Sequence, residues 1–192
     1  MAEHPSTSIR LLTAAQDGVD EAFAELRALY TPLVYFWCRE SRVRAGDAEE
    51  IWSNLFGAVA ESLPKFEHNG RKGAFRKWLK RITANEIADF YKGPDQGQGG
   101  TDGQDSLRHL PDREEDQQQQ TQETSILYRA AWQLVQSQFS SRDNEVFRRV
   151  AEHGERPKDV AQDMNLKPST VYTLIHRIKT RLLERFAGLL DQ

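Results

Sequence analysis

Between positions 71 and 92 the chain carries Arg71, Lys72, Arg76, Lys77, Lys80, Arg81 and Lys92 against Glu86 and Asp89, with Phe75 and Trp78 set among them. Cations on one arc can follow a run of phosphates while rings stack on unpaired bases, so these residue types suit a single nucleic-acid strand. A solvated basic face is the plainer use of the same charges, and Phe75 and Trp78 also suit a core. A second constellation lies in Lys167 to Phe186. There Val171, Leu174, Ile175, Ile178, Leu182 and Phe186 recur every three or four positions and share one helical face. The opposite face holds Lys167, Ser169, Thr170, Tyr172, Thr173, His176, Arg177 and Arg181. Hydroxyl, imidazole and guanidinium groups on one exposed face can bond base edges and phosphates.

The residues that could support catalysis or metal binding do not assemble in the same way. His68, His109, His153 and His176 are scattered, with none at metal-ligand spacing to another. Cys38 is the single cysteine, which excludes an internal disulfide and any Cys-based zinc site. Glu49 and Glu50 are better used in helix capping and surface charge than in acid–base work, and Ser140 and Ser141 read as helix-start residues. No Gly-rich phosphate loop joins a strand to a helix. The sequence therefore assigns no catalytic, cofactor-binding or metal residue, and an enzyme is not expected.

Charge is unevenly placed. The 192-residue chain has net charge −3, yet eight of its 29 acidic residues and two of its 26 basic ones fall in residues 93–125, leaving the rest net positive. Charge distribution rather than the total governs attraction to a nucleic-acid backbone. No apolar run approaches a membrane span, and the first residues lack a basic stretch followed by an apolar one, so a cytoplasmic protein with no membrane partner is expected.

The elements that would position these residues are helical. Residues 93–125 are rich in Gly, Gln and Asp and read as a flexible acidic linker, with room for a short helix near its end. The flanks, residues 1–92 and 126–192, read as two small all-α domains. In the first, Val19 to Tyr30 is amphipathic, and Pro32 marks a break or a new start. Asp47 is placed to cap the next helix, with Glu50 completing a capping box. Ile51, Leu55 and Val59 form that helix's stripe, widened by Trp52, Phe56 and Leu63. "FEHNGRKG" reads as a loop, and a further helix is expected from about Gly73 to Lys92, with Phe75, Trp78, Leu79 and Ile82 on one side and Arg76, Lys77, Lys80 and Arg81 on the other.

In the second domain a short helix from Pro157 to about Met164, a turn at "NLK" and the helix from Lys167 have helix-turn-helix spacing. Pro157 and Pro168 suit a first helical turn, where a missing N–H costs nothing. Ala161 is small where a crossing helix needs close approach, and Val160, Leu166, Val171 and Ile175 supply apolar contacts.

Taken in order, "DAEEIWSNLFGAVAESLPKF", "GAFRKWLKRITANEIADFY", the acidic linker and "RDNEVFRRV" with "KDVAQDMNLKPSTVYTLIHRIKTRL" resemble a bacterial extracytoplasmic-function (ECF) sigma factor. "QDGVDEAFAELRALYTPLV" resembles the first helical region of that family. The resemblance covers nearly all of the chain outside the linker and the extreme termini. It implies a protein that binds core RNA polymerase, with the helix at Asp47, Glu50, Ser53 and Asn54 as the main polymerase contact. It places Phe66, Arg71, Lys72 and Asn85 where a base of the minus-ten element is captured, and Arg76, Lys80 and Arg81 along the separated strand. Lys167, Ser169, Thr170, Tyr172, Thr173, His176, Arg177 and Arg181 would read the minus-thirty-five element as duplex. The linker would pass through polymerase channels near the RNA path.

The partners implied are core polymerase and promoter DNA, both duplex and single-stranded, with an anti-sigma factor as a further partner the family allows. The free protein would be a monomer. The chain departs from the family at Ser53 and Asn54, where Gln and Glu are frequent, and at Tyr172 and Leu174, where Lys and Arg are frequent. Its "FEHNGRKG" loop is longer than in many relatives. The competing reading is a stand-alone helix-turn-helix regulator, or a sigma-like adaptor without initiation activity. Both keep the second domain and reinterpret the first.

Overall fold

A computed structural model describes residues 7–67, 73–92 and 117–190, and these are all-α, with no strand among them. Helices α1 (Thr7–Gln16), α2 (Asp20–Glu40), α3 (Ala45–Ser62) and α4 (Ala74–Lys92) are followed by α5 (Gln117–Val135), α6 (Ser141–Phe147), α7 (Pro157–Asp163) and α8 (Pro168–Leu190). The expected flexible linker lies, for residues 93–116, outside the described residues, as does most of the "FEHNGRKG" loop at 68–72.

α2 is the central element and runs straight through the expected break. Pro32 sits inside it, which removes the N–H that would bond Ala28 and costs about 3 kcal/mol. Burial outweighs that cost. Leu29, Tyr30, Leu33, Val34, Phe36 and Trp37 are all buried, each contributing roughly 1.5–3 kcal/mol. α3 begins earlier than the capping pattern indicates. Arg44 is the N-cap residue, Asp47 lies inside the first turn, and no side chain caps the helix. The carboxylate of Asp47 instead accepts a hydrogen bond from the Tyr91 hydroxyl at 3.2 Å, tying α3 to the end of α4. The stripe of α3 is buried as its periodicity requires, at Ile51, Leu55, Phe56 and Val59, and continues to Leu63 just past its end.

α1 has no counterpart in the sequence reading. Its Leu12 and Ala15 are buried, and it packs on both α2 and α8. Gln16 closes the group by donating to the carbonyls of Leu63 and Phe66 at 3.1 and 2.6 Å.

α5 starts at Gln117, inside the stretch read as linker, and lies along α2. Its apolar stripe includes Leu127, Ala130, Ala131 and Val135. Glu123, one helical turn before Leu127, falls in the same register and is fully buried at 0% exposure. The end of α8 reaches the first group of helices as well. The Tyr30 hydroxyl donates to the Leu189 carbonyl at 3.3 Å, and Arg185 pairs with Glu25 through Nη2 to Oε2 at 2.9 Å. Burial pushes the Tyr30 phenol far above its usual range, against the opposing influence of the Arg76 charge, so it stays protonated as a donor.

Candidate nucleic-acid interface

α7, a tight turn and α8 follow one another as the spacing leads one to expect. Asn165 takes a left-handed conformation, φ 53°, which a short polar side chain tolerates. The N–H of Leu166 then reaches back to the Ala161 carbonyl at 2.7 Å and closes the turn. Val160 and Ala161 are fully buried where α7 crosses α8. Beneath this unit Ser140 caps α6 by accepting the Asp143 N–H at 3.2 Å. α6 continues as a π turn, Arg148–Glu152. Arg149, in that turn, binds Glu155 through Nη2 at 2.6 Å and Asp163 of α7 through Nη1 at 2.7 Å. Hydrogen bonding from Arg149 holds the Glu155 carboxyl below its usual range, so that pair persists across neutral pH.

On α8, Val171, Leu174, Ile175, Ile178, Leu182 and Phe186 are all buried. Lys167, Ser169, Thr170, Tyr172, Thr173, His176, Arg177 and Arg181 are exposed on the outer side, with Tyr172 at 52%. The structure therefore brings the eight candidate duplex-reading residues together. Two are already engaged. Arg177 binds Asp143 at 2.7 Å and lies over the Phe139 ring, and Arg181 donates to Gln138 at 3.0 Å. Leu174 points inward at 6% exposure, so its replacement of a frequent basic residue removes no charge from the outer face.

Around α4 the geometry differs from the expected open basic arc. Phe75 and Leu79 are buried as expected, but so is Arg76, at 5% exposure. The cause is α5. Glu123 reaches between the helices and places Oε2 3.6 Å from Arg76 Nε and Oε1 2.9 Å from Lys80 Nζ. The Trp37 indole N–H donates to the same Oε1 at 2.8 Å, and Arg76 donates to the Thr124 hydroxyl at 3.4 Å. A buried charge needs a partner, and α4 and α5 supply each other's.

The outward strip of α4 is consequently narrower, with Lys77 exposed and Trp78, Arg81 and Asn85 half-buried. Phe66, Phe75 and Trp78 form an aromatic cluster with centroids 4.9–5.5 Å apart. Arg71 and Lys72 lie outside the described residues. On α3 the candidate polymerase-facing residues Glu50, Ser53 and Asn54 are exposed and Asp47 half-buried, all on the side away from the Ile51–Leu55–Val59 stripe.

Glu123 is the residue sequence reasoning passed over. Its signal was an acid in the apolar register of Leu127 and Ala130, masked by the Gln-rich composition around it. Among the described residues no group of His, Cys, Asp and Glu could hold a metal ion. No described helix is long and apolar enough to cross a membrane. A structure of CnrH in complex with the cytosolic domain of CnrY aligns over 92% of this chain and 94% of that one, at 21% identity and a TM-score of 0.39. No family model and no curated protein matches the chain.

Proposed function

We propose that the protein is a sigma factor of the ECF type, which binds core RNA polymerase and directs it to promoters. The observation that supports this reading is a combination: the exposed polar face of α8 over its buried apolar face, together with the exposed Glu50, Ser53 and Asn54 on α3 and the Phe66–Trp78 cluster beside the basic residues of α4. In the proposed mechanism that face enters the major groove of the minus-thirty-five element. Ser169, Thr170, Tyr172 and Thr173 bond base edges, while Lys167, His176, Arg177 and Arg181 contact phosphates. Glu50, Ser53 and Asn54 on α3 meet polymerase, with Asp47 at the edge of that surface. The cluster of Phe66 and Trp78, with Asn85, Arg81 and the cations Arg71, Lys72, Arg76 and Lys80, holds the separated minus-ten strand. In this reading residues 1–92 act on polymerase and the minus-ten element, and residues 126–192 on the minus-thirty-five element. The site is cytoplasmic, and an anti-sigma factor is the regulator such a protein admits.

One observation favours the competing reading of a stand-alone regulator or adaptor. Arg76 and Lys80 are held by Glu123, whereas most of the α8 face is open to solvent.

Two measurements test the proposal. Co-purification with core polymerase is expected for the intact chain and lost when Asn54→Arg places bulk and charge on the exposed side of α3. A stand-alone regulator would show no such binding. Replacing Thr173 and Arg177 together by Ala is expected to leave polymerase binding intact. It should weaken transcription from promoters with a minus-thirty-five element at least about tenfold, since each good base contact is worth roughly 1–3 kcal/mol. Unchanged promoter preference would reject the assignment of α8. Because Arg177 also binds Asp143, the thermal midpoint of the double variant is measured alongside.

A further inference from the structure

The structure assigns to Glu123 the role of an internal latch: its carboxylate fills an anion site made by Arg76 and Lys80, and a single-stranded nucleic acid gains those two cations only when α5 swings away. This inference rests on the strand-binding role proposed above for α4.

Three features of the site point to an anion-sized receptor rather than an ordinary helix contact. Its cations sit one turn apart on α4, Lys80 following Arg76 by four positions, so both reach the same oxygen-bearing group. An indole donor from α2 completes the set at 2.8 Å. The group they enclose is a lone carboxylate at 0% exposure, the only acid buried among the described residues, supplied from a different part of the chain. Arg76 Nε and Glu123 Oε2 face each other at 3.6 Å, and neither has a hydrogen-bond partner. The carboxylate thus satisfies the site's charge without closing its second hydrogen bond. A phosphate, with more acceptor oxygens, can approach that donor more closely.

The end of α5 that carries Glu123 has little apolar hold: residues 117–125 present no apolar side chain ahead of Ile126 and Leu127. Glu123 and Thr124 are two of the polar ties of that end. Freeing it exposes Arg76 and Lys80 on the same helix as Lys77, Arg81 and Trp78, which widens the basic strip to the arc the sequence contains.

The experiment uses the intact chain, with Glu123→Gln as the principal variant. Amide hydrogen exchange of α5 reports opening, and fluorescence anisotropy of a short labelled single-stranded DNA reports strand binding. Apparent affinity scales with the open fraction, so a chain open less than about one-tenth of the time gains more than about tenfold on full opening. The expected result is faster exchange in α5, strand binding tighter by at least about tenfold, and loss of that gain when Lys80→Ala is added. Wild-type exchange rates in Glu123→Gln would overturn the latch, as would opening without tighter binding. Should Glu123→Gln lose its helical circular dichroism, Trp37→Phe carries the test. It removes one donor to Glu123 and is expected to give a smaller gain of the same sign, while no gain would overturn the latch.

Promoter-dependent transcription with core polymerase, run in parallel, separates this inference from the reading beneath it. Transcripts from the wild type with no strand-binding gain in the variant would overturn the latch alone. A strand-binding gain with no transcripts from either protein would support the latch and reject the sigma reading.

Discussion

Truncating Phe186 to Ala is expected to lower the free energy of unfolding by about 3–5 kcal/mol, the cost of removing a fully buried aromatic side chain and leaving a cavity. Phe186 is 0% exposed and sits where α8 departs from helical geometry, at φ −127° and ψ 18°. That bend follows Arg185, which binds Glu25, and precedes Leu189, whose carbonyl accepts from Tyr30. The buried ring therefore lies where the end of α8 meets α1 and α2. Leu183, three residues earlier and 39% exposed, is the control. Its truncation should fall within about 0.5 kcal/mol of the wild type. Chemical denaturation followed by circular dichroism measures both. Equal effects at the two positions would mean that the last turns of α8 do not pack as described.

The second large effect belongs to the buried ion pair. Replacing Glu123 by Leu leaves Arg76 buried and without its opposite charge, which should cost about 3–5 kcal/mol. Replacing both by Leu should recover most of that loss, because an apolar pair of similar volume avoids the desolvation of two ions. Recovery should stop short by about 1–2 kcal/mol, since the Trp37 indole loses its acceptor. Lys80 is spared the same penalty, having a side chain 28% exposed that can turn to water. A double-mutant cycle in denaturant measures the coupling. Additive losses would show that Arg76 and Glu123 do not share one desolvated site.

The sequence reading succeeded where a single helix carries its own period. The buried face of α8, the stripe of α3, the extent of α4 and the turn before α8 all follow from residues within one or two turns of each other. It failed where a distant segment decides the outcome. Pro32 looks like a break because its local cost is plain, while the burial of Leu29, Leu33 and Trp37 that offsets it comes from other helices. Asp47 looks like a cap because its pattern fits, yet α3 starts at Ala45 and Asp47 turns to Tyr91 on α4.

The same limit governs the candidate site. The seven outer residues of α8, with Lys167 just before it, are legible because the opposite face is apolar throughout. The basic arc of α4 is legible as composition but not as exposure. Arg76 differs from Lys77 only in which side α5 covers, and α5 lies more than forty positions along the chain. Glu123 was hidden by its neighbours, since a Gln-rich, acid-rich stretch gives no reason to expect a buried carboxylate until its register with Leu127 is noticed.

Promoter-dependent transcription by core RNA polymerase supplemented with the intact chain, on fragmented genomic DNA, separates a sigma factor from a stand-alone regulator. A sigma factor gives discrete transcripts that need the chain, start a fixed distance downstream of shared sequence elements, and disappear with Thr173 and Arg177 replaced. Site-specific DNA binding by the chain alone, with no polymerase association and no transcripts, would contradict the sigma reading and establish a stand-alone regulator.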